Sequence, residues 1–427
     1  MKLLTEIRIG ATTLAMRSMV RGMALTGDPV AKVLSRRAAV DPYPLYERIR
    51  ARGDIARHPI GLHITADHAA CRKVLRDNDF YVEPAVKHGG IAWAVEQDDD
   101  YTLAHPMEQS LLMLNPPGHT RLRRIAAPAF TPNALRDYTP RAEAIAAQFL
   151  DELAGRTEFD LVREFASRVP IEVVRDLFDI PDGDREQFLR WGSILAGTLD
   201  GIRTLTERHA VHRACTELTS FLDEKIRQRH GGSGTDVITR IANADVDGLR
   251  ANGRDLVALA GLLLVAGFET TINVISEASV RLMRDPALIT ALNDDPGLAP
   301  AVVEETLRIE PPVQFTLRKP RTAVTVEGHE LPQDSMLILL LAGANRDPKV
   351  FPDPARFDPL RGNSRDHLAF SAGIHYCLGA GLARIEAEAA LRTLFARMPR
   401  LTPAGPVRYK RTRNIRGLAS VPVRLER

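Results

Sequence analysis

Residues 370–384 read Phe-Ser-Ala-Gly-Ile-His-Tyr-Cys-Leu-Gly-Ala-Gly-Leu-Ala-Arg and set Cys377 between a glycine-bearing turn and the start of a helix. Gly373 can take a positive φ and let the chain reverse sharply. Gly379 and Gly381 lack side chains, so a flat group can come close to the helix. Unpaired backbone N–H groups and the positive dipole end at the helix start favour a thiolate. A free thiol titrates at about 8.5, so such help, or a metal, is needed to keep the sulfur charged. A buried structural cysteine suits Cys71 and Cys215, which lie mid-helix, but gives no reason for the glycines around Cys377. Zinc would need two ligands beyond His375 and Cys377, and no second cluster offers them. Iron–sulfur clusters usually take four cysteines, and the chain has three. Covalent c-type haem attachment needs a second cysteine and a following histidine. A single thiolate on haem iron remains.

The second constellation lies in a long helix read from Asp255, as N-cap, to Arg284, where Asp285-Pro286 stops it. Some 30 residues at 1.5 Å each make roughly 45 Å, enough to cross a domain. Residues 256–268 carry no charge, so the segment should be buried all round. It ends in Ala266-Gly267-Phe268-Glu269-Thr270-Thr271. A mid-helix glycine costs about 1 kcal/mol against alanine, which argues for close approach of a ligand. Threonine hydroxyls can bond back to preceding carbonyls and bend the helix. A lone Glu is usually a surface acid; beside this glycine and two threonines, Glu269 reads as a proton relay with Thr270.

Charged pairs at helical spacing complete the set. Glu305 and Arg308 are three apart on one face, as are His119 and Arg123 at four. Alone, an acid–base pair of this kind is most often solvated and of little worth. Glu305 and Arg308, however, lie between the uncharged helix and the cysteine loop. Arg318 and His375 are further cations whose meaning depends on what lies between them.

The cysteine loop resembles the haem-binding signature of the cytochrome P-450 superfamily, F-x-x-G-x-[HR]-x-C-x-G-x-x-[LI]-A-R, at every defined position. Ala266–Thr271 resembles that family's A-G-x-[DE]-T-[TS] segment, and the resemblance runs from about Asp41 to Val423. It implies a mainly α fold with a smaller β-rich lobe and haem b between the long helix and the cysteine helix. Cys377 would ligate the iron, with Phe370, Gly373, Gly379, Ala266 and Gly267 against the cofactor. His119, Arg123, Arg318 and His375 would hold the haem propionates. Glu305 and Arg308 would be structural, with Arg346 and Phe357-Asp358-Pro359 completing their network. Glu269 and Thr270 would deliver the protons that O₂ activation consumes. The substrate implied is a hydrophobic small molecule, touched by Trp93, Val95, Leu195, Val313, Phe315, Ile415 and Leu418. The chain holds no flavin or NAD fingerprint, so electrons would come from a separate ferredoxin and its reductase, docked on Arg121, Arg124 and Arg384. One departure is Pro332-Gln333-Asp334-Ser335, where relatives commonly carry a turn glycine. A peroxide-driven peroxygenase and a non-catalytic haem protein are the competing readings; the Glu269-Thr270 pair speaks against both.

The elements that must position these groups are mostly helical. Asp41-Pro42-Tyr43-Pro44 opens a helix to about Arg52, two short strands follow in 54–66, and a helix spans Asp67–Arg76. Residues 80–113 lack a helical period and read as a functional loop or substrate lid. Asn115–Gly118 is a turn, a helix covers about 298–309, and 322–342 form a hairpin turning at Glu327-Gly328. Residues 1–40 read as an extension, helical or partly ordered, before one catalytic domain over 41–427. A formal net charge of +3 without a long basic run excludes a nucleic-acid binder. Three scattered cysteines predict a reducing cytoplasm. No uninterrupted apolar run approaches the ~20 residues a bilayer span needs, so weak surface contact is the most a membrane would receive.

Overall fold

The computed structural model describes residues 18–35, 41–83, 110–200, 205–229, 231–234 and 236–426. Trp93 and Val95, and most of the long loop around them, lie outside the described residues.

One helix, Gly253–Met283, organises the molecule. Its N-cap is Asn252, not Asp255. Asn252 Oδ1 accepts from the Asp255 N–H, and the Asp255 carboxylate accepts from the Asn252 N–H, both at 2.9 Å. This reciprocal box satisfies two otherwise orphaned donors, and the cap lies three residues before the one the sequence reading placed. Helices Arg168–Leu177, Arg185–Ala196, Leu205–Arg229, Ala299–Ile309 and Ala380–Arg397 pack around it. The core they enclose includes Leu256, Leu264, Phe268, Ile275, Leu391 and Phe395. Burial all round fails at two places: Leu262 and Leu263 are half-buried, and farther along Ala266 is exposed with Gly267, Glu269 and Thr270 half-buried. A gap in an otherwise buried helix marks a cavity wall.

The β-rich lobe is a five-stranded sheet in the order 56–57, 62–65, 336–339, 316–320, 80–81. Strand 62–65 runs parallel to 336–339, with Leu62 opposite Met336, while 316–320 pairs antiparallel, with Arg318 opposite Leu337. Val324–Val326 and His329–Leu331 make the expected hairpin, with Glu327 and Gly328 at φ +46° and +77°. Residues Pro29–Leu34, inside the presumed extension, form a helix capped by the Asp28 carboxylate. Its Val30, Val33 and Leu34 pack with Tyr43, Tyr46 and Ile49, so this stretch shares a core with helix Tyr43–Arg50. The central helix is also long and apolar enough to cross a bilayer, but two-thirds of its most apolar window is buried in protein.

Candidate functional site

The cysteine loop is shaped by two left-handed residues, Ser371 at φ +62° and Gly373 at φ +65°. The Cys377 N–H donates to the Phe370 carbonyl at 2.9 Å, closing the turn. A side chain on Gly373 would run into the Leu75 carbonyl, so this glycine is required both by conformation and by contact. Cys377 is exposed at the loop's tip, and helix Ala380–Arg397 begins three residues later. Nothing lies within 4 Å of where a Gly379 Cβ would sit, which leaves room for a flat group. Gly381 is different: its Cβ would lie 3.2 Å from Leu135 Cδ1, so it serves packing. The Gly379 N–H at the helix start favours the thiolate, in the direction expected. Burial among protein atoms pushes the Cys377 thiol up, and the Gly379 N–H, Arg123 and Arg384 only partly oppose it. A metal cation on the sulfur would favour the thiolate further.

On the facing helix, Thr270 Oγ1 donates to the Ala266 carbonyl at 2.7 Å, the expected back-bond. Glu269 forms an ion pair with Lys410, a partner that sequence reasoning missed. Lys410 belongs to the C-terminal hairpin, in which Arg408–Tyr409 pairs antiparallel with Leu418–Ser420. Gly267 serves a different contact from the one expected. Its Cβ would lie 3.3 Å from Val174 Cγ2, so this glycine lets helix Arg168–Leu177 come close, while Ala266 presents the open surface.

Four basic side chains, two arginines and two histidines, gather near the sulfur. The His119 and His375 rings lie 4.5 Å apart, and His375 Nδ1 donates to the Leu111 carbonyl at 3.2 Å. His119 Nε2 is buried with no partner. Burial, with Arg123 beside it, pushes His119 down to about 4. Burial, then Arg318, His119 and Arg123, pushes His375 down to about 3. Arg318 is lowered by burial to about 10, and Arg123 is lowered by burial against a pull from Cys377. No carboxylate of the described residues relieves any of the four. Such a group is unstable alone and needs an anion with several acceptor oxygens. Two propionates on a flat macrocycle, with Cys377 beneath, fit that demand.

Beneath the loop, Arg308 grips Glu305 through two bonds of 2.8 Å, both side chains fully buried. Arg308 also donates to the carbonyls of Asn345, Pro354 and Arg356. The expected third member, Arg346, is elsewhere. It donates to the Ile309 carbonyl and to Glu310 at 3.1 Å, with its guanidinium over the Tyr43 ring. Arg361 takes the place, 3.0 Å from Glu305, helped by the Asp358 N–H and the Ser364 hydroxyl at 2.9 Å. Arg361 lies two residues past the Phe357-Asp358-Pro359 stretch singled out, and spacing alone does not tell which of the two arginines turns inward.

A family model of cytochrome P450 matches residues 78–295 and 297–410. The chain belongs to the cytochrome P450 family. It is a haem-thiolate monooxygenase, an enzyme class that uses O₂ and redox partners on small-molecule substrates. It is 36% identical to a putative cytochrome P450 140 of Mycobacterium tuberculosis, over 96% of each chain. It is also 36% identical to the 6-deoxyerythronolide B hydroxylase of Saccharopolyspora erythraea, over 73% of this chain and 77% of that one. Among solved P450 structures, ligand-free CYP164A2 of Mycobacterium smegmatis matches with TM-score 0.82 and 33% identity, covering 93% of this chain and 99% of that one. P450BioI in complex with a fatty-acid-ligated acyl carrier protein matches with TM-score 0.83 and 30% identity, covering 90% and 99%.

Two further expectations about this P450 change. Leu195 and Leu418 have no exposed surface and sit in the main core, so neither can touch a substrate without rearrangement. Val313 and Ile415 are joined by an antiparallel bridge, and Phe315 is half-buried beside them, its N–H donating to Asn414 Oδ1. The presumed docking cations are also engaged. Arg121 pairs with Asp255 at 2.7 Å, Arg124 with Asp247, and Arg384 with Glu304. Each acid cancels its arginine's charge locally.

Proposed function

We propose that this P450 inserts one atom of O₂ into a hydrophobic small molecule, with Cys377 as the thiolate ligand of haem b. The observation that carries this is the group formed by His119, Arg123, Arg318 and His375, two guanidinium charges and two imidazole donors crowded beside Cys377 without an acid. Bound there, haem supplies the redox and O–O-cleaving chemistry, which a thiolate ligand favours. The protein's part is proton handling and position. Thr270 turns its hydroxyl from the Ala266 carbonyl toward the cavity to donate a hydrogen bond, and Glu269 passes it protons from solvent. Lys410 holds Glu269 in place through their ion pair. Val313, Phe315, Ile415 and Ala266 form an apolar wall for substrate, and Trp93 and Val95 are proposed as further substrate contacts.

Electrons come from a separate ferredoxin-type donor, and its docking surface lies away from Arg121, Arg124 and Arg384. Arg72, Lys73 and Arg76 are exposed on helix His68–Arg76, whose end abuts Gly373 of the cysteine loop. Arg365 lies exposed beside the start of that helix, where His68 Nε2 donates to the Asp366 carbonyl at 2.9 Å. These cations form no ion pair among the described residues, so they suit an acidic partner. Three free cysteines and the absence of a disulfide among the described residues fit the cytoplasm.

The deciding experiment supplies labelled O₂, NADH, ferredoxin and reductase, with substrates chosen by the spin-state change on binding. One labelled oxygen atom in the product is expected. Product formed only from hydrogen peroxide would make the enzyme a peroxygenase, and ligand binding without product would leave a haem-binding protein.

A further inference from the structure

The central helix carries a polar line that begins at the relay acid Glu269 and runs away from the haem site. Glu269, Asn273, Glu277 and Arg281 are four residues apart and form one inclined ridge. The C-terminal hairpin lies along it. Lys410 pairs with Glu269, and its backbone N–H donates to the Gly417 carbonyl at 2.9 Å. Gly417 presses on Asn273 so closely that a Cβ would overlap the amide. Tyr409 and Arg416 flank Glu277. Farther along, Glu310 is held by Arg281 at 2.9 Å, Arg346 at 3.1 Å and Arg416 at 3.2 Å.

Within this seam three side chains are incomplete: Arg281, whose Nε has no partner, and two that lie nearer Glu269. Asn273 is 1% exposed, and neither its amide nitrogen nor its oxygen has a partner. Glu277 is 3% exposed, and its Oε1 has none either. Buried polar atoms left open by the protein are the usual seats of internal water. Asn273 stands one turn from Glu269 and one turn from Glu277, so water on its amide touches both neighbours' reach.

We propose that Glu277 is a proton-holding residue that serves Glu269 through water seated on Asn273. Its proton passes from the Glu277 carboxyl to that water, and a proton of the water passes to the Glu269 carboxylate. The Glu277 carboxylate left behind faces Arg416 and Arg281 and is reprotonated from solvent along the seam between turnovers. Every proton delivered comes from solvent in the end; Glu277 stores one close to its point of use. The surroundings support the stored form. Burial and then Glu310 push Glu277 up to about 8 against the pull of Arg416, Arg281 and Arg284, while Tyr409 faces it from the hairpin. Glu277 is a positioning residue for the proton, since it acts through Glu269. That role rests on the monooxygenase reading; the stored proton itself does not.

The test uses the full-length haem-loaded enzyme. Infrared spectra at neutral pH should show a carboxylic-acid C=O band that shifts in D₂O, vanishes in Glu277→Gln and moves in Asn273→Leu. Glu386, fully buried and also pushed well up by burial, gives a second acid band that survives Glu277→Gln. In turnover, Glu277→Gln should lower product per NADH about tenfold and enlarge the solvent isotope effect. Parent coupling should fall as pH rises through about 8, and the variant should lose that step. Absence of a Glu277-dependent band, or unchanged coupling and isotope effect in Glu277→Gln, overturns the proposal. If the parent forms no product with any donor, the monooxygenase reading fails, and the infrared band alone decides whether Glu277 holds an exchangeable proton.

Discussion

Lys410 reaches Glu269 across 141 residues of sequence and pairs with its carboxylate. The pair joins the C-terminal hairpin to the helix that carries Thr270, so the hairpin's position sets where the relay acid stands. Lys410→Met removes the anchor without removing the acid. A half-buried pair of this kind contributes about 1 kcal/mol of positioning, or roughly a fivefold effect. Product per NADH should fall by that factor, with hydrogen peroxide released instead, while the substrate-induced spin shift stays the same. Unchanged coupling would show that Glu269 needs no anchor.

The buried Glu305 network predicts an order among three variants. Glu305→Ala leaves Arg308 charged, buried and unpaired, a loss of about 3–5 kcal/mol. Arg361→Met should cost less, since Arg308 still matches Glu305. Arg346→Met should leave the Glu305 network intact and loosen the contact between Tyr43 and Glu310. Urea unfolding with haem absorbance as a second probe gives the ranking. Arg346→Met losing haem as readily as Glu305→Ala would contradict the assignment of Arg361.

Ser371 holds φ +62° and buries a hydroxyl with no partner. Glycine takes this conformation at no steric cost and leaves no polar atom bare. Ser371→Gly should therefore raise stability by ~1 kcal/mol, a change that denaturant unfolding resolves. A loss of stability would mean that the hydroxyl has a role in the cysteine loop.

Glu277 also predicts a pH dependence of stability. Its carboxyl is raised from 4.5 to about 8 by folding, so the folded protein holds the extra proton. Its share of stability is full below the unfolded value and is lost as pH rises through about 8. Melting temperatures across this window should decline less steeply for Glu277→Gln than for the parent. Parallel curves would show that Glu277 is ionised throughout.

The parts legible in sequence were those written locally. Turn glycines, an uncharged helix, and cations at helical spacing all announce themselves within a few residues, and the structure puts His119 against His375 although 256 positions separate them. What stayed hidden depends on tertiary contact. Nothing near Lys410 marks it as the partner of Glu269, and nothing near Arg361 distinguishes it from Arg346. Gly267 showed the same limit from the other side: a glycine signals close approach, but not whether a ligand or a Val174 methyl is what approaches. Arg121, Arg124 and Arg384 looked like free charge because their acids come from distant segments. Leu195 and Leu418 looked like pocket walls because an apolar residue reads the same in a core.

The ligation of iron by Cys377 is tested most directly by the spectrum of the reduced, haem-loaded protein under carbon monoxide. A strongly red-shifted Soret band is predicted for the parent, and its loss in Cys377→His with haem retained. A parent that binds haem stoichiometrically but shows the unshifted band of a neutral ligand, or a Cys377→His variant that keeps the shifted band, would contradict the account.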